Sequence, residues 1–541
     1  MIGEVTMWKL LYKRSISQGS YRPRLRMLRR KAKKWKFDER NLYITDLETI
    51  KQNLNLAIQM YRQQKKCAKA LRISFLEEKS ALLAAEKGIE KSKYLKQLLH
   101  IEEAKDTFKK IRYTIKPNVQ GALHYVEEGP DNGTRNRITN KEDMEEAIQT
   151  ANISKLTQAD NTPLRESPLS ELLHEQTLDF DQWERALDPT FPIPPHLERG
   201  TKLWFQEMRH NRNSIPPTPT IFDPISYKNS WKKIKEDTSS QPGLHFGHFK
   251  AMDDTSLLAN KVHSVLAETP LRTGYSPTSW QQCTDAMIKK KVSDMRPSKL
   301  RLITLMNAVF NHNNKQIGRK MMKLGEQYDK LAPEQYGSRK HKSAIEHALN
   351  KVLTLDISRQ KREALIFTAN DAVSCYDRIV LLAAYCSMLN FGVTKEEARS
   401  LISTLGLLHH SIRTAKGDSI RQYGGHTWVR LPHGIGQGNG AGPPIWACVS
   451  SPLFDALRND GYGTTFQSPI SLIILNITGF SFVDDADLIQ SMGELKSEDD
   501  LFIRAQAQLI VWEQLLRTTG GAIDPNKSDW LFLRYKWNAG K

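Results

Sequence analysis

The strand and helix signals of the sequence agree with an α+β fold, in which β-type stretches ending in carboxylates are interleaved with helices. Three observations carry these signals. The segment Phe482-Val483-Asp484-Asp485 lies between the apolar runs Leu472 to Leu475 and Leu488-Ile489. A second strand-like run, Leu365-Ile366-Phe367-Thr368-Ala369-Asn370, leads to Asp371, with Tyr376 and Asp377 beyond it. From Asp46 to Lys116 the pattern is helical: Leu54, Ile58, Tyr61, Leu71, Leu82, Leu83, Leu95, Leu98 and Leu99 recur among Lys, Glu and Gln, and no proline occurs before Pro117.

Adjacent carboxylates inside an apolar stretch are costly to bury and are usually retained where a divalent cation neutralises them. A strand, an acidic turn and a second strand would hold Asp484 and Asp485 on a rigid hairpin suited to metal-assisted phosphoryl transfer. An acidic surface turn is the alternative reading. Nucleotidyl transfer needs carboxylates from two strands converging on two ions about 3.5 to 4 Å apart, and Asp371 with Asp484 supplies such a pair. Asp377 falls in the turn after the first strand beside Arg378, where a local ion pair is expected. Cys375 reads as small packing filler.

Between the acids lies Gly434-Ile435-Gly436-Gln437-Gly438-Asn439-Gly440-Ala441-Gly442-Pro443-Pro444. Its glycines permit positive φ and close backbone approach, and its prolines suit the start of a helix. A ligand-lining loop and a flexible hinge both fit. A dinucleotide fingerprint does not, because Gly436 to Ala441 matches only the looser form and Pro432-His433 does not read as a strand.

Asp371 with Tyr376, then Gln437-Gly438 in the glycine loop, then Phe482-Val483-Asp484-Asp485, resemble the A, B and C motifs of reverse transcriptases of the non-LTR (LINE-like) retrotransposon class. Gly243-Leu244-His245-Phe246-Gly247-His248 resembles the glycine-rich motif ahead of the fingers in that class. Lys299-Leu300-Arg301-Leu302-Ile303 with Asn311 to Lys315 resembles the first fingers motif, and Glu334-Gln335-Tyr336-Gly337-Ser338-Arg339 with Ser343 the second. Thr519-Gly520-Gly521-Ala522, leading to Lys527, resembles motif D.

The resemblance implies a right-hand polymerase: an antiparallel palm sheet carrying the acids, flanked by helices, with fingers from about residues 245 to 365. It implies RNA-directed DNA polymerisation with an RNA template, a DNA primer and dNTPs as partners. Two Mg²⁺ ions, with Mn²⁺ as a substitute, would be held by Asp371 and Asp484 with Asp485 in support. Tyr376 would exclude a 2′-hydroxyl, Gln437 and Gly438 would lie near the templating pair, Lys299 or Arg301 would hold the triphosphate, and Lys527 would protonate the pyrophosphate. Several positions depart from the pattern: Gly436 stands where proline is common, Val483 where alanine is, Leu302 where proline is, and Asn370 where an apolar residue is usual. The chain stops at Lys541 soon after motif D, which implies no thumb. Two other readings stand beside this one. One is a catalytically incompetent retroelement remnant that binds RNA. The other is a different palm polymerase such as an intron maturase.

The chain has 541 residues, enough for about three or four domains. Its net charge of +19 and pI near 9.5 point to a polyanionic partner, most simply nucleic acid. An anionic membrane would require an anchor, and no myristoylation pattern, membrane-length apolar stretch or signal core is present. An intracellular location and no membrane association are expected. Five cysteines without C-x-x-C spacing argue against a disulfide framework or a zinc ribbon.

Residues 1–40 form a basic arm, crowded with Lys and Arg between Lys9 and Lys36. It reads as a phosphate-binding segment, a nuclear import signal or a disordered tail. Residues 41–116 form a long-helix region, a helical hairpin or a loose coiled coil. Residues 117–240 read as a connecting region with proline-rich loops and short helices such as Lys141 to Thr150, capped by Thr139 or Asn140, and Ser170 to Leu173. Residues 241–541 are the expected fingers and palm.

Overall fold

A computed structural model describes residues 63, 70, 72–82, 84–85, 91–115, 123–130, 133–232, 234, 246–250, 258–290 and 294–535. The chain divides into two compact units, Met1–Asn118 and Val119–Lys541. The expected basic arm lies outside the described residues, as do Leu54, Ile58, Tyr61, Leu71, Leu83 and the Gly243-Leu244-His245 part of the glycine-rich motif. The first unit contains the long helix Lys91–Ile115, as the proline-free periodic stretch predicts.

In the second unit, the stretch read as a connecting region is built into the body. It opens with a hairpin of β1 (Val126–Glu128) and β2 (Asn136–Ile138). The helix Lys141–Leu156 follows, entered at Asn140 without a side-chain cap bond. Met144, Ile148, Asn152 and Leu156, four residues apart, form its buried stripe. The apolar members of that stripe pack with Met287, Leu300, Leu302 and Tyr423. Trp183, Trp204, Phe205 and Met208 join the main core with Tyr385, Phe454 and Trp512. The prolines punctuate these elements without detaching them, because large apolar side chains on either side of each break reach the same core.

β3 (Gln282–Lys289) and β4 (Leu300–Leu305) precede β5 (Leu365–Asp371), and β6 (His409–Thr414), β7 (Gly417–Asp418) and β8 (Tyr423–Gly424) follow. β9 (Thr464–Gln467) and β10 (Ile474–Ile477) form a hairpin ahead of β11 (Gly479–Phe482), β12 (Asp485–Ser491) and β13 (Asp529–Leu533). One sheet has the order β4-β3-β6-β7 with β8 also on β6; the other is antiparallel, in the order β11-β12-β5-β13. Alternation along β12 sends Ala486 and Leu488 to the core beneath the helices Gly442–Asn459 and Glu498–Thr518. Ile489 goes to the other face with Leu365, Tyr336 and Phe480. The architecture is α+β, with mainly antiparallel sheets and helices against them. Among the described residues no helix is long and apolar enough to cross a membrane.

One expectation is corrected. The apolar run Leu472 to Leu475 is not an arm of the acidic hairpin: Leu472, Ile473, Ile474 and Leu475 are exposed, and most of the run belongs to or adjoins β10. The arm is Gly479–Phe482, whose Phe480 pairs with Asp487 and Phe482 with Asp485. Hydrophobicity alone favours the wrong run, whereas cross-strand pairing selects the one that alternates.

Candidate active site

β11 and β12 are joined through the two residues Val483 and Asp484, since Phe482 is already paired with Asp485. β12 then pairs with β5 so that Asp485 lies directly opposite Asp371. Carboxylates on cross-strand partners repel at the spacing of adjacent strands. The predicted acids are thus brought together at adjoining strand ends. Burial, then the neighbouring carboxylates of Asp485 and Asp371, push the Asp484 carboxyl up, with Arg301 opposing. Oxygen donors with excess negative charge suit a hard divalent cation such as Mg²⁺, but these three do not offer donor atoms that all lie within 4.8 Å of one another, so holding one ion in common would require them to close in.

The turn is strained and clamped. Val483 sits at φ 64°, in the left-handed region, where a β-branched residue costs on the order of 1–3 kcal/mol. Gln335 holds it from both sides: Val483 N–H donates to Oε1 at 3.1 Å, and Nε2 donates to the Val483 carbonyl at 3.3 Å. Trp446 Nε1 donates to the same carbonyl at 2.5 Å. Glu334 and Tyr336 bond the Ser481 backbone, so this segment lies along β11. Gly337 allows it, because a Cβ there would stand 2.5 Å from the Val483 nitrogen. The clamping roles of Gln335 and Trp446 are not evident from the sequence, although Gln335 lies in a segment it singles out.

The other predicted segments converge on the same strand ends. Val373 N–H donates to the Ala522 carbonyl, and Asp524 N–H to the Asp371 carbonyl, each at 2.9 Å. This places the 519–527 loop beside β5. Ile435 N–H donates to the Tyr376 carbonyl at 2.9 Å, and Thr304 N–H of β4 donates to the Gln437 carbonyl at 2.9 Å. Gly438, at φ 131°, passes so close to β4 that a Cβ would lie 2.5 Å from the Thr304 oxygen. Asn311 Nδ2 donates to the Gly438 carbonyl at 2.9 Å. The glycine loop is therefore tied on both sides rather than free to hinge.

The expected ion pair between Asp377 and Arg378 is not formed. Arg378 Nε donates to the Gly520 carbonyl at 2.8 Å. The short helix Cys375–Arg378 turns Asp377 inward, where it accepts from Gln437 Nε2 at 3.0 Å. This bond leaves the Gln437 amide oxygen pointing away from Asp377. Burial pushes the Asp377 carboxyl up to about 6, against the opposing charges of Lys155 and Lys290. A carboxyl raised from 3.8 contributes stability at low pH that is lost as pH rises through about 6. Asp377→Asn should therefore flatten the loss of stability between about pH 4 and 7, a difference of roughly 2–3 kcal/mol in urea unfolding. An unchanged pH slope would show that Asp377 does not carry it.

Cations border the acids. Lys527 Nζ lies 2.5 Å from Asp371 Oδ2 and 3.0 Å from Asp524 Oδ2, and these two carboxylates hold its ammonium above the usual lysine range. Lys527 is thus a counter-ion of a proposed metal ligand. Arg301 is exposed on β4, and Lys299 ends the turn before it. Lys290, which the sequence reading passed over, has its ammonium lowered by burial and by Arg301 and Lys527. The run Lys289-Lys290-Lys291 was the available signal. Tyr376 is half-buried against the core beside Gly442, where a Cβ would stand 3.8 Å from its ring. Cys375 is buried, in keeping with a packing role. The chain matches no model of a known family, and comparison with curated proteins finds no match.

Proposed function

We propose that this chain is an RNA-directed DNA polymerase of retrotransposon origin, of the non-LTR class, with the β11-β12-β5-β13 sheet as the palm of a right-hand polymerase. The meeting of Asp371 with Asp484 and Asp485 at adjoining strand ends carries this reading, because these acids come from two distant segments that occur, with the glycine loop between them, in the order of the family's motifs. Held by these carboxylates, Mg²⁺ would neutralise the phosphates and raise the acidity of the primer 3′-hydroxyl.

The chain's own residues do the rest. Asp371 and Asp484 hold the negative charge that selects cations at the strand ends, and the Gln335 clamp keeps Asp484 from drifting. Gln437, oriented by Asp377, presents its amide oxygen toward the place of the incoming base pair. Arg301, Lys299 and Lys290 supply the positive field for a triphosphate. Lys527, paired with Asp371 and Asp524 at the edge of the acids, carries the ammonium proton that would pass to the departing pyrophosphate oxygen. Tyr376 closes the floor under the sugar. The net charge of +19 favours RNA and DNA as partners.

Primer extension on an RNA template with a DNA primer, dNTPs and Mg²⁺ tests the reading. Template-dependent incorporation is expected. A folded chain that binds RNA in a salt-dependent way but adds no nucleotide would replace it with an RNA-binding remnant. Tyr376→Ala should relax sugar selection and raise relative ribonucleotide use by about 10²-fold, the scale at which a well-packed pocket discriminates small groups. Unchanged sugar selection would remove Tyr376 from the gate.

A further inference from the structure

We propose that Cys283, Asp285 and His410 form a zinc site within the β3-β6-β8 sheet, away from the acids of the candidate active site. The inference is independent of the polymerase reading.

The backbone assembles the donors. Cys283 and Asp285 are two residues apart on β3 and so share a face. β6 runs parallel to β3 with His410 as the register partner of Cys283, and β8 places Tyr423 opposite His410. A Cys, a His and a Tyr thus stand in a row across three strands, with Asp285 beside them. One donor atom from each of Cys283, Asp285 and His410 lies within 4.8 Å of the other two. His410 Nδ1 is 3.1 Å from both oxygens of Asp285. Zinc, with Zn–S near 2.3 Å and Zn–N and Zn–O near 2.0–2.2 Å, needs donors separated by roughly 3–4 Å, so little closure is required.

Charge makes the case stronger than proximity alone. Asp285 is fully buried, and Cys283 and His410 nearly so. The groups that bond the Asp285 carboxylate are the His410 ring and the Tyr423 hydroxyl, neither of which carries a fixed positive charge. A buried carboxylate with no directly bonded cation, on which the Lys155 ammonium acts only from farther off, is expensive. A divalent ion bound by one carboxylate, one thiolate and one neutral imidazole gives a centre of zero net charge. The sulfur donor disfavours Mg²⁺ and Ca²⁺, and the mixed N, S and O set is typical of zinc. On binding, the Cys283 Sγ–H bond would be exchanged for a zinc–sulfur bond, and its proton, now donated to the His409 carbonyl at 3.4 Å, would be released to solvent. Tyr423 remains outside, orienting Asp285 through its hydroxyl and His410 by ring stacking at 4.9 Å. Such an ion would tie β6 to β3, the strand that pairs with the one carrying Arg301.

The test is zinc content of the full chain, produced in zinc-supplemented medium and measured after gel filtration, with circular dichroism on every variant. One zinc per chain is expected for the wild type and for Asp484→Asn, which removes an active-site acid only. Cys283→Ser and His410→Ala should lose the ion, while His410→Cys should keep it by restoring a donor. Tyr423→Phe should weaken binding by about 10–100-fold, read by competition with a chromophoric chelator. With Co²⁺ in place of zinc, a thiolate-to-metal charge-transfer band should appear and vanish in Cys283→Ser. A folded wild type with no zinc and no such band would overturn the proposal and leave a hydrogen-bonded Asp–His–Tyr cluster. So would zinc that persists undiminished in both Cys283→Ser and His410→Ala.

Discussion

Asp484→Asn should lower nucleotide incorporation by about 10³-fold while leaving the metal-free chain at least as stable as the wild type. The two effects have opposite signs for one reason. At neutral pH the ionised Asp484 is half-buried among Asp485 and Asp371, which holds its carboxyl above the ordinary range. A raised carboxyl contributes stability below its unfolded value and loses it as pH rises through its folded one, so removing the charge helps the fold at pH 7. The same charge is what a catalytic cation requires. Loss of a metal ligand costs on the order of 4 kcal/mol of transition-state stabilisation, about 10³-fold in rate. Primer extension reads the second effect and urea unfolding without Mg²⁺ the first. A third readout needs no turnover: Mg²⁺ should raise the melting temperature of the wild type, because it binds only the folded site, and should do so much less in the variant. Equal Mg²⁺ stabilisation of both would mean that Asp484 is not a ligand. A variant less stable without Mg²⁺ would mean that the carboxylate is structural.

The parts of this site that were legible in the sequence are those in which chemistry violates local patterning. Asp371, Asp484 and Asp485 interrupt apolar strands, and the spaced glycines from Gly434 to Gly442 interrupt everything around them. Such interruptions are visible because propensity and burial alone disfavour them. What was not legible depends on pairing between distant segments. Leu472 to Leu475 looks like a better strand than Gly479–Phe482, and only the register with β12 decides between them. Asp377 next to Arg378 invites an ion pair, but a buried turn of four residues points it at Gln437, sixty positions away. Cys283 and His410 are separated by a long stretch that includes β5, and a parallel register makes them neighbours. The proline clusters of residues 117–240 mark breaks in secondary structure and carry no information on whether Trp183 and Trp204 reach the main core.

Gln335→Ala should cost about 3 kcal/mol of stability and, in the fraction that still folds, lower kcat by about 10²-fold. Gln335 is almost fully buried, and its Oε1 accepts from Val483 N–H at 3.1 Å and Gly337 N–H at 2.9 Å. Truncation leaves both donors without a partner inside the protein, at about 1–3 kcal/mol each, offset in part by any water that enters. Catalysis suffers separately. Val483 is kept at its positive φ by the surrounding bonds, and with the clamp gone its backbone relaxes and carries the adjacent Asp484 with it. A displacement of about 1 Å in a reacting group costs on the order of 10²-fold. The coupling distinguishes this from a simple loss of packing. Val483→Gly adopts the same φ without strain, so in the Gln335→Ala background it should restore part of both stability and kcat. The double mutant should then be better than the sum of the single changes, since the two residues act on one turn. Additive effects would separate the clamp from the strained residue and reduce Gln335 to a buried polar filler. Full activity in Gln335→Ala would show that Asp484 is positioned by the sheet alone.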